Sequence, residues 1–485
     1  MAFLIGGANT LDDAYEISNS LMFNGSSTEM EDTLGTPTNI KKFTISLWFK
    51  RSALYADIST GQSLISCYRG AVGNPFGALN FGGNDHIEFF GFDDENTTVM
   101  NIHTGAGRFR DVSAWYHIVF AVDTTQGTAA NRVKVYVNGV QDTDLATTTY
   151  PAENKDLAWN QSGTVHYLGH YQYTNATWMN GYESEFAFVD GSQLTSTSFG
   201  KTNEYGIWVP IDFKDDITWG DNGYYLEFKE TGTSANSSGI GADTSGNTRH
   251  FTPSGFGAAQ SVEDSPTNNF CTWNNLDTTD ISDLTFSEGN LKVVNATGVC
   301  RGTLAAASGK WYWEIKQLTA VDASNPIQYG VADTEDSPPT HSSLNNALIA
   351  YSDNNLEKSI KKFAAGTEST ITSTMGSYNS ISANDIIMFA FDADTAKLWV
   401  GRNGTWLNSG DPAAGSNEVA STNAGNFFTP CLEHAGVTYT IQANFGNPQF
   451  SISSANSDAA GYGQFEYTVP TGFYSLCTKN LARYG

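Results

Sequence analysis

The feature that most constrains this chain is a period of two: short runs in which apolar and polar residues alternate, closed by turn-forming pairs. In FTISLWFK, Phe43, Ile45, Leu47 and Phe49 fall on one face of an extended backbone and Thr44, Ser46, Trp48 and Lys50 on the other. Successive side chains of a strand point to opposite faces, so this run predicts a half-buried strand. The pattern returns at Val133, Val135 and Val137, alternating with Lys134 and Tyr136 ahead of Asn138-Gly139, and SLMF is closed by Asn24-Gly25; both pairs suit a tight hairpin turn. Further runs of this kind are SLISCYR, ALNFGG, HIEFFGF, WYHIVFAVDTT, VHYLGH and YESEFAFVDG. Many short strands at regular spacing predict an all-β fold of antiparallel sandwiches. The 29 Phe, 22 Tyr and 11 Trp, beside 47 Gly and only 16% charged residues, agree, because helices lean on Ala, Leu, Glu and Lys. Helix is expected to be scarce.

At 485 residues the chain is too long for one ordinary core, and two domains of roughly 200 residues are the natural expectation. Similar phrases occur twice: HIVFAVDTT with RVKVYVNGV, and IIMFAFDADT with AKLWVGRNGTW. Between them lies a run from Thr231 to Phe270 rich in Gly, Ser, Thr and Asn and poor in aliphatic residues. Such a run buries too little apolar surface to offset its ordering entropy, so it is expected to be a surface connector.

The 25 Lys and Arg against 51 Asp and Glu leave a net charge of −26, which repels phosphate backbones and anionic lipid, so neither nucleic acid nor membrane insertion is expected. Cys67, Cys271, Cys300, Cys431 and Cys477 are odd in number and lack a CxxC pair, and are expected to be reduced thiols. The opening MAFLIGGANTLDD does not read as a secretory signal, and no stretch nears the roughly 20 apolar residues of a membrane span. Asn24, Asn96, Asn160, Asn175 and Asn295 head N-x-S/T triplets and are expected to serve turns.

With SLMFNG, FTISLWFKR, WYHIVFAVD, VKVYVNGV, YLGHY and MNGYESEFAFVDGSQLT in order, residues 19–201 resemble a laminin-G or concanavalin A-like jelly-roll domain. GNLKVVNATG, GKWYWEIK, IQYGVAD, DIIMFAFDADTAKLWVGRNGTW, FFTPCLEH and IQANFGNPQF give residues 287–450 the order of a SPRY domain, with a long polar insert at 345–380. The opening MAFLIGGAN, the segments EYGIWVPIDF, NGYYLEF, GIGADTSGN and DSPTNNF, and the ending GFYSLCTKNL are similar to tailed-phage virion proteins. These resemblances imply a lead at 1–18 for virion attachment, a sandwich at 19–201, a connector at 202–286, a second sandwich at 287–450 and a C-terminal extension at 451–485. They also imply a non-catalytic virion structural protein, assembled in the host cytoplasm into a tail fibre, tail tip or head surface. Its partners would be other virion proteins and further copies of itself.

Candidate sites follow from residue chemistry. Sugars dock on aromatic faces while a few polar groups fix their orientation. The segment GHYQYTNATWMNG places Tyr171, Tyr173 and Trp178 in a polar loop, with Asn175 and Asn180 as amide partners for hydroxyls; this is the candidate glycan site, with rings packed under the loop as ordinary satellite core, Trp178 plugging the sandwich edge, as the alternative. Calcium takes hard oxygen ligands, and Asp93, Asp94 and Glu95 between two strands are its candidate ligands, with an ordinary acidic turn as the alternative; no other cofactor is expected. Glucanases of this fold place three acids on alternate positions of one strand, but after Glu183 and Glu185 the third position is Ala187. Those two acids are expected to line a solvated strand face, and the chain is expected not to be an enzyme. His166 and His170 sit on a strand, where four residues separate them too far to share zinc. Asp392 and Asp394 are expected in a turn, and Trp311 and Trp313 in a core. Host-surface or glycan adhesion is the leading reading, capsid decoration contacting only virion subunits the second, and polysaccharide hydrolysis the third.

Overall fold

The computed structural model describes residues 4–5, 15–54, 61–70, 75–175, 177–278, 284–320, 327–335, 344–352, 358–372 and 381–485. Most of the expected N-terminal lead, and about a third of the insert at 345–380, lie outside these residues. The architecture is almost all β and mainly antiparallel, as the alternation predicts. Among the described residues one seven-residue α-helix, Thr478–Tyr484 (α1), is present, and no helix is long and apolar enough to cross a membrane. The chain divides into two compact units, one spanning Asp12–Thr267 and the other holding residues 268–485 with the N-terminal segment.

The first unit is a sandwich of two eight-stranded sheets. Its strands are β1 (Ser20–Asn24), β2 (Glu29–Thr33), β3 (Lys42–Arg51), β4 (Ser63–Tyr68), β5 (Phe76–Phe81), β6 (Ile87–Phe92), β7 (Thr98–His103), β8 (Tyr116–Asp123), β9 (Val133–Val137), β10 (Val140–Gln141), β11 (Thr147–Thr149), β12 (Val165–Leu168), β13 (Asn180–Asp190), β14 (Tyr224–Leu226), β15 (Thr252–Ser254) and β16 (Ser261–Val262). One sheet runs β10-β9-β8-β3-β13-β1-β16 with β14 also on β13, and the other runs β11-β7-β6-β5-β4-β12-β2-β15. Phe43, Ile45, Leu47 and Phe49 face the shared core with Leu79, Ile87, Phe89 and Ile102 of the opposite sheet, the face that alternation assigns to them.

The stretch read from sequence as a connector contributes strands to this sandwich. β14 pairs with β13, β15 with β2 and β16 with β1, while Ile240 and Phe251 are fully buried. The physical reason is that strand pairing is made by backbone groups, so a Gly- and Ser-rich segment poor in apolar side chains still completes a ladder. A second cause is β13, buried along its whole length. Its outer face needs cover, and Phe199, Phe213, Trp219 and Tyr225 supply it, packing with Ala187 and Val189 of the strand and with Val119 of β8.

β13 also revises the reading of its acids. A bulge falls between Ser184 and Ala187, with Glu185 at φ 50°. Glu185 accepts hydrogen bonds from Tyr15 and Tyr225 on the outer side, whereas Glu183 lies in the interior, where its charge would act on the core residue Tyr224. Neither is solvated: both are buried. Burial pushes the Glu183 carboxyl well above the usual carboxylate range, and burial, then the charge of Glu227, push Glu185 up to about 8. The alternation that would give two carboxylates one face is interrupted by the bulge.

The second unit is a continuous antiparallel ladder wrapped over one core. Its main strands are β17 (Trp273–Thr278), β18 (Leu284–Ser287), β19 (Lys292–Gly302), β20 (Lys310–Gln317), β21 (Ile327–Asp333), β22 (Ala347–Ser352), β23 (Lys358–Ala364), β24 (Thr367–Ile371), β25 (Ile386–Asp392), β26 (Lys397–Arg402) and β27 (Phe428–Asn444). β27 turns the ladder over: its first part pairs with β21 and its end with β20, while β19 follows its other edge. Trp311 and Trp313 are core residues, as expected. Asp392 and Asp394 accept backbone N–H bonds from Thr395 and Gly309, the turn chemistry expected of them. The segment read as a C-terminal extension is integral, since Tyr474–Ser475 pairs in parallel with β20 and Leu476 and Leu481 enter the core. All five cysteines are buried, Cys67 in the first unit and four in the second.

A fragment of residues 12–267 should give a cooperative unfolding transition with native near-ultraviolet dichroism, and one ending at residue 201 should not, because it lacks β14, β15 and β16. Glu183 and Glu185 bind protons more tightly folded than unfolded, so their contribution to stability is full below their ordinary value of 4.5 and falls as pH rises toward about 8 for Glu185. Unfolding free energies from urea titrations of Glu185→Gln should therefore fall less between pH 5 and 8 than those of the unmodified protein, by up to about 1.4 kcal/mol per pH unit.

Candidate functional site

The second sheet of the first unit carries aromatic rings on its outer face as well as its inner one. In β6, Ile87 and Phe89 point into the core, so the alternating residues Glu88, Phe90 and Phe92 point outward. In β5 the outward residues are Phe76, Ala78 and Asn80. Beneath them Trp159 donates from Nε1 to the Phe90 carbonyl at 3.1 Å. This close approach needs Gly77, where a Cβ would lie 2.7 Å from that nitrogen.

A hairpin loop after β12 closes over this face. His170 bridges to Trp178 and the Tyr171 N–H donates to the Thr177 carbonyl at 2.9 Å, so the two pairs face opposite sides. Tyr171 and Thr177 turn to the outer face of the sheet, while Trp178 stacks on His170 with centroids 3.8 Å apart and planes at 12°. His170 is held in turn by Glu29 at 2.6 Å. Tyr173 lies flat on Phe76 at 3.8 Å and 7°, Phe76 on Phe92 at 4.5 Å and 9°, and Tyr171 meets Phe90 edge-on at 5.9 Å. Burial raises the Tyr171 phenol and keeps it protonated.

The result is a groove of about 700 Å³ with an aromatic floor and a rim of Asn80, Glu88, Asn101, His103 and Thr177. That volume suits a small ligand, for which pockets span roughly 300–1,000 Å³. Asn80 Oδ1 and Thr177 Oγ1 are buried, and neither has a hydrogen-bond partner among the described residues. Buried polar atoms left unpaired cost free energy that a ligand donor would recover.

The structure therefore gathers some of the sequence-predicted residues and separates others. Tyr171 and Tyr173 line the groove. Trp178 is on the other side of the hairpin, half-buried on His170, and Asn180 is buried at the start of β13. Asn175 is exposed at the loop tip with φ 52°, a turn role. Phe76, Phe90, Phe92, Asn80 and Asn101 escaped the sequence reading, although HIEFFGF carried a signal: a strand with a solvated face should not place two phenylalanines there.

Asp93, Asp94 and Glu95 form the turn after β6. Asp93 Oδ1 accepts the Glu95 and Thr97 N–H groups at 3.2 and 3.0 Å, and Oδ2 meets Lys155 Nζ at 3.3 Å. The Thr97 N–H, ahead of Lys155, holds the Asp93 carboxyl below the usual range; Asp94 and Glu95 are exposed. His166 and His170 have separate partners, His166 bonding Tyr224 Oη and the Trp159 carbonyl, both at 2.9 Å. Burial lowers His166 to about 3, which keeps it neutral.

Residues 24–198 match the family of concanavalin A-like lectins and glucanases, in its laminin G branch. The first unit thus contains a concanavalin A-like, laminin G-type domain. Among solved structures the chain is similar to the SPRY domain of human HERC1, with 12% identity, a TM-score of 0.27 and coverage of 35% of this chain and 96% of that one. It is similar to domains LG4-5 of the mouse laminin α1 chain, with 9% identity, a TM-score of 0.27 and coverage of 97% and 100%. A third is the SAP-like pentraxin of Limulus polyphemus, with 14% identity, a TM-score of 0.28 and coverage of 38% and 81%. No curated protein matches the chain.

Because Trp178 braces the hairpin from outside the groove, Trp178→Ala should lower stability by about 1–3 kcal/mol, less than the 3–5 of a fully buried ring. Thermal melting and near-ultraviolet dichroism check this.

Proposed function

We propose that this protein is a non-catalytic carbohydrate-binding protein whose aromatic groove docks a glycan. One observation carries the reading: a flat stack of Tyr173, Phe76 and Phe92 lies beside two buried, unpartnered acceptors, Asn80 Oδ1 and Thr177 Oγ1. The half-buried rings of the stack, Tyr173 and Phe92, receive the apolar C–H face of a sugar, with the buried Phe76 as their support, and the acceptors take its hydroxyl protons. The orphaned atoms discriminate, because an apolar ligand would leave them unsatisfied. The lectin-type family match of residues 24–198 supports the same chemistry. In this reading the chain is a virion protein of a tailed phage that adheres to host-surface glycan and assembles with other virion subunits, as its opening and closing segments suggest.

The test is a glycan array followed by titration of the best ligand. Tyr173→Ala and Phe90→Ala should each weaken binding at least tenfold, about 1.4 kcal/mol, with sugar composition unchanged after long incubation. Trp178→Ala, matched for folded fraction, should bind as the unmodified chain does. Undiminished binding by both groove variants would refute the assignment.

A further inference from the structure

At one end of the same groove is a cluster that the glycan reading does not use. Glu88 on β6 stands directly opposite His103 on β7 in the ladder, and His86 precedes Glu88 by two residues in extended backbone, φ −99° and ψ 163°. Directly opposed residues and residues two apart share one face of a sheet, so all three project outward. His86 Nε2 lies 2.9 Å and His103 Nε2 3.9 Å from Glu88 Oε1, and the three ligand atoms are within 4.8 Å of one another. The imidazoles are stacked at 4.7 Å.

Three further observations point to a cation. First, the Glu88 side chain is only 7% exposed, yet the groups that meet it are imidazoles, 13% and 18% exposed. Three other buried acids have a full positive partner, Asp85 with Arg51, Asp264 with Lys50 and Asp277 with Arg301, while Asp190 is met by several N–H donors. A carboxylate removed from water needs a proton, several donors or a cation, and a metal ion between the two imidazoles would meet that need. Second, Gly82 has φ −98° and ψ −178°, a conformation open to any residue, so its backbone does not demand glycine. A Cβ there would lie 2.7 Å from Glu88 Cδ and 2.8 Å from His86 Nε2, so a side chain at this position would push both of these side-chain ends aside. Third, the turn that delivers His86 is fixed from below, with Asp85 held by Arg51 at 2.8 Å and Arg110 at 3.2 Å.

We propose that His86, Glu88 and His103 form a three-ligand site for a divalent cation of the zinc class at the end of the groove. Two imidazoles and one carboxylate are a donor set for zinc and its borderline neighbours, whereas calcium and magnesium prefer oxygen alone. Ligand bonds of about 2.0–2.2 Å place tetrahedral donors roughly 3.3 Å apart, so the widest edge of the cluster closes by roughly 1.5 Å of side-chain movement. His103 Nε2 now bonds Asn101 Oδ1 at 2.8 Å. On metal binding its ring proton resides on Nδ1, Nε2 offers its lone pair, and Asn101 is released toward the groove. Coordination left open by three protein ligands faces the rim, where water or a sugar hydroxyl completes it. Metal binding itself requires no glycan.

Calorimetry on the full chain, freed of metal and without sugar, tests the site with zinc chloride, calcium chloride and magnesium chloride. The expected result is a zinc site that the other two ions do not fill. His86→Ala, His103→Ala and Glu88→Gln should each weaken it at least tenfold, and Gly82→Ala should weaken it with every ligand intact. His250→Ala should leave it unchanged. Cobalt(II) should give a visible ligand-field spectrum that His103→Ala alters. Melting of each metal-free variant separates lost binding from lost fold, and His86→Gln replaces any alanine variant that does not fold. Equal zinc affinity in the three ligand variants, equal binding of calcium, or no zinc binding at all would overturn the proposal. A glycan-free loss of zinc binding leaves the carbohydrate reading standing, and loss of glycan binding alone leaves the metal site standing.

Discussion

Much of the first unit depends on one constraint: β13 is buried on both faces along all eleven residues. A strand at the rim of a sandwich can leave its outer side to water, but a doubly buried strand requires two layers of cover. The inner layer is the opposing sheet. The outer layer is drawn from residues 199–225, which is why the domain does not close at the end of its regular alternation. The chain then continues through β14, β15 and β16, adding strands to both sheets. Asp190, at the end of β13, ties these parts together by accepting N–H bonds from Thr38 at 2.6 Å and Asn222 at 3.1 Å and an amide bond from Asn160 at 2.6 Å. Segments far apart in sequence thereby share one buried acceptor.

The same requirement separates the two acids of this strand. A bulge lets β13 exchange one partner for another, β1 before it and β14 after it. Its cost is the loss of side-chain parity, and Glu183 and Glu185 end on opposite faces. Both are better suited to being protonated structural groups than to acting together on one substrate.

Legibility from sequence tracked locality. Strands such as β3 and β9 were readable because alternation is a property of neighbouring residues, and Trp311 and Trp313 were placed in the core on the same grounds. The groove was half readable. Tyr171 and Tyr173 stood out as aromatics in a polar loop, but Trp178 belongs with them only if the parity of the hairpin is ignored, and parity depends on the His170–Trp178 bridge. Phe90 and Phe92 were hidden because an aromatic on a strand is ordinarily core. The cluster of His86, Glu88 and His103 was hidden for another reason: the register that sets Glu88 against His103 is a relation between two strands. The integration of residues 231–267 was missed because composition speaks for side chains, whereas those strands are held largely by their backbones.

The burial of every cysteine gives the protein an internal clock. A thiol sealed in a core reacts with an alkylating reagent only while the surrounding structure is open, so its modification rate reports the population or the rate of that opening. Cys67 sits on β4, within the sheet that carries the groove, and the other four belong to the second unit. One reagent, read residue by residue, therefore times the breathing of each sandwich separately within the intact chain, without an introduced probe.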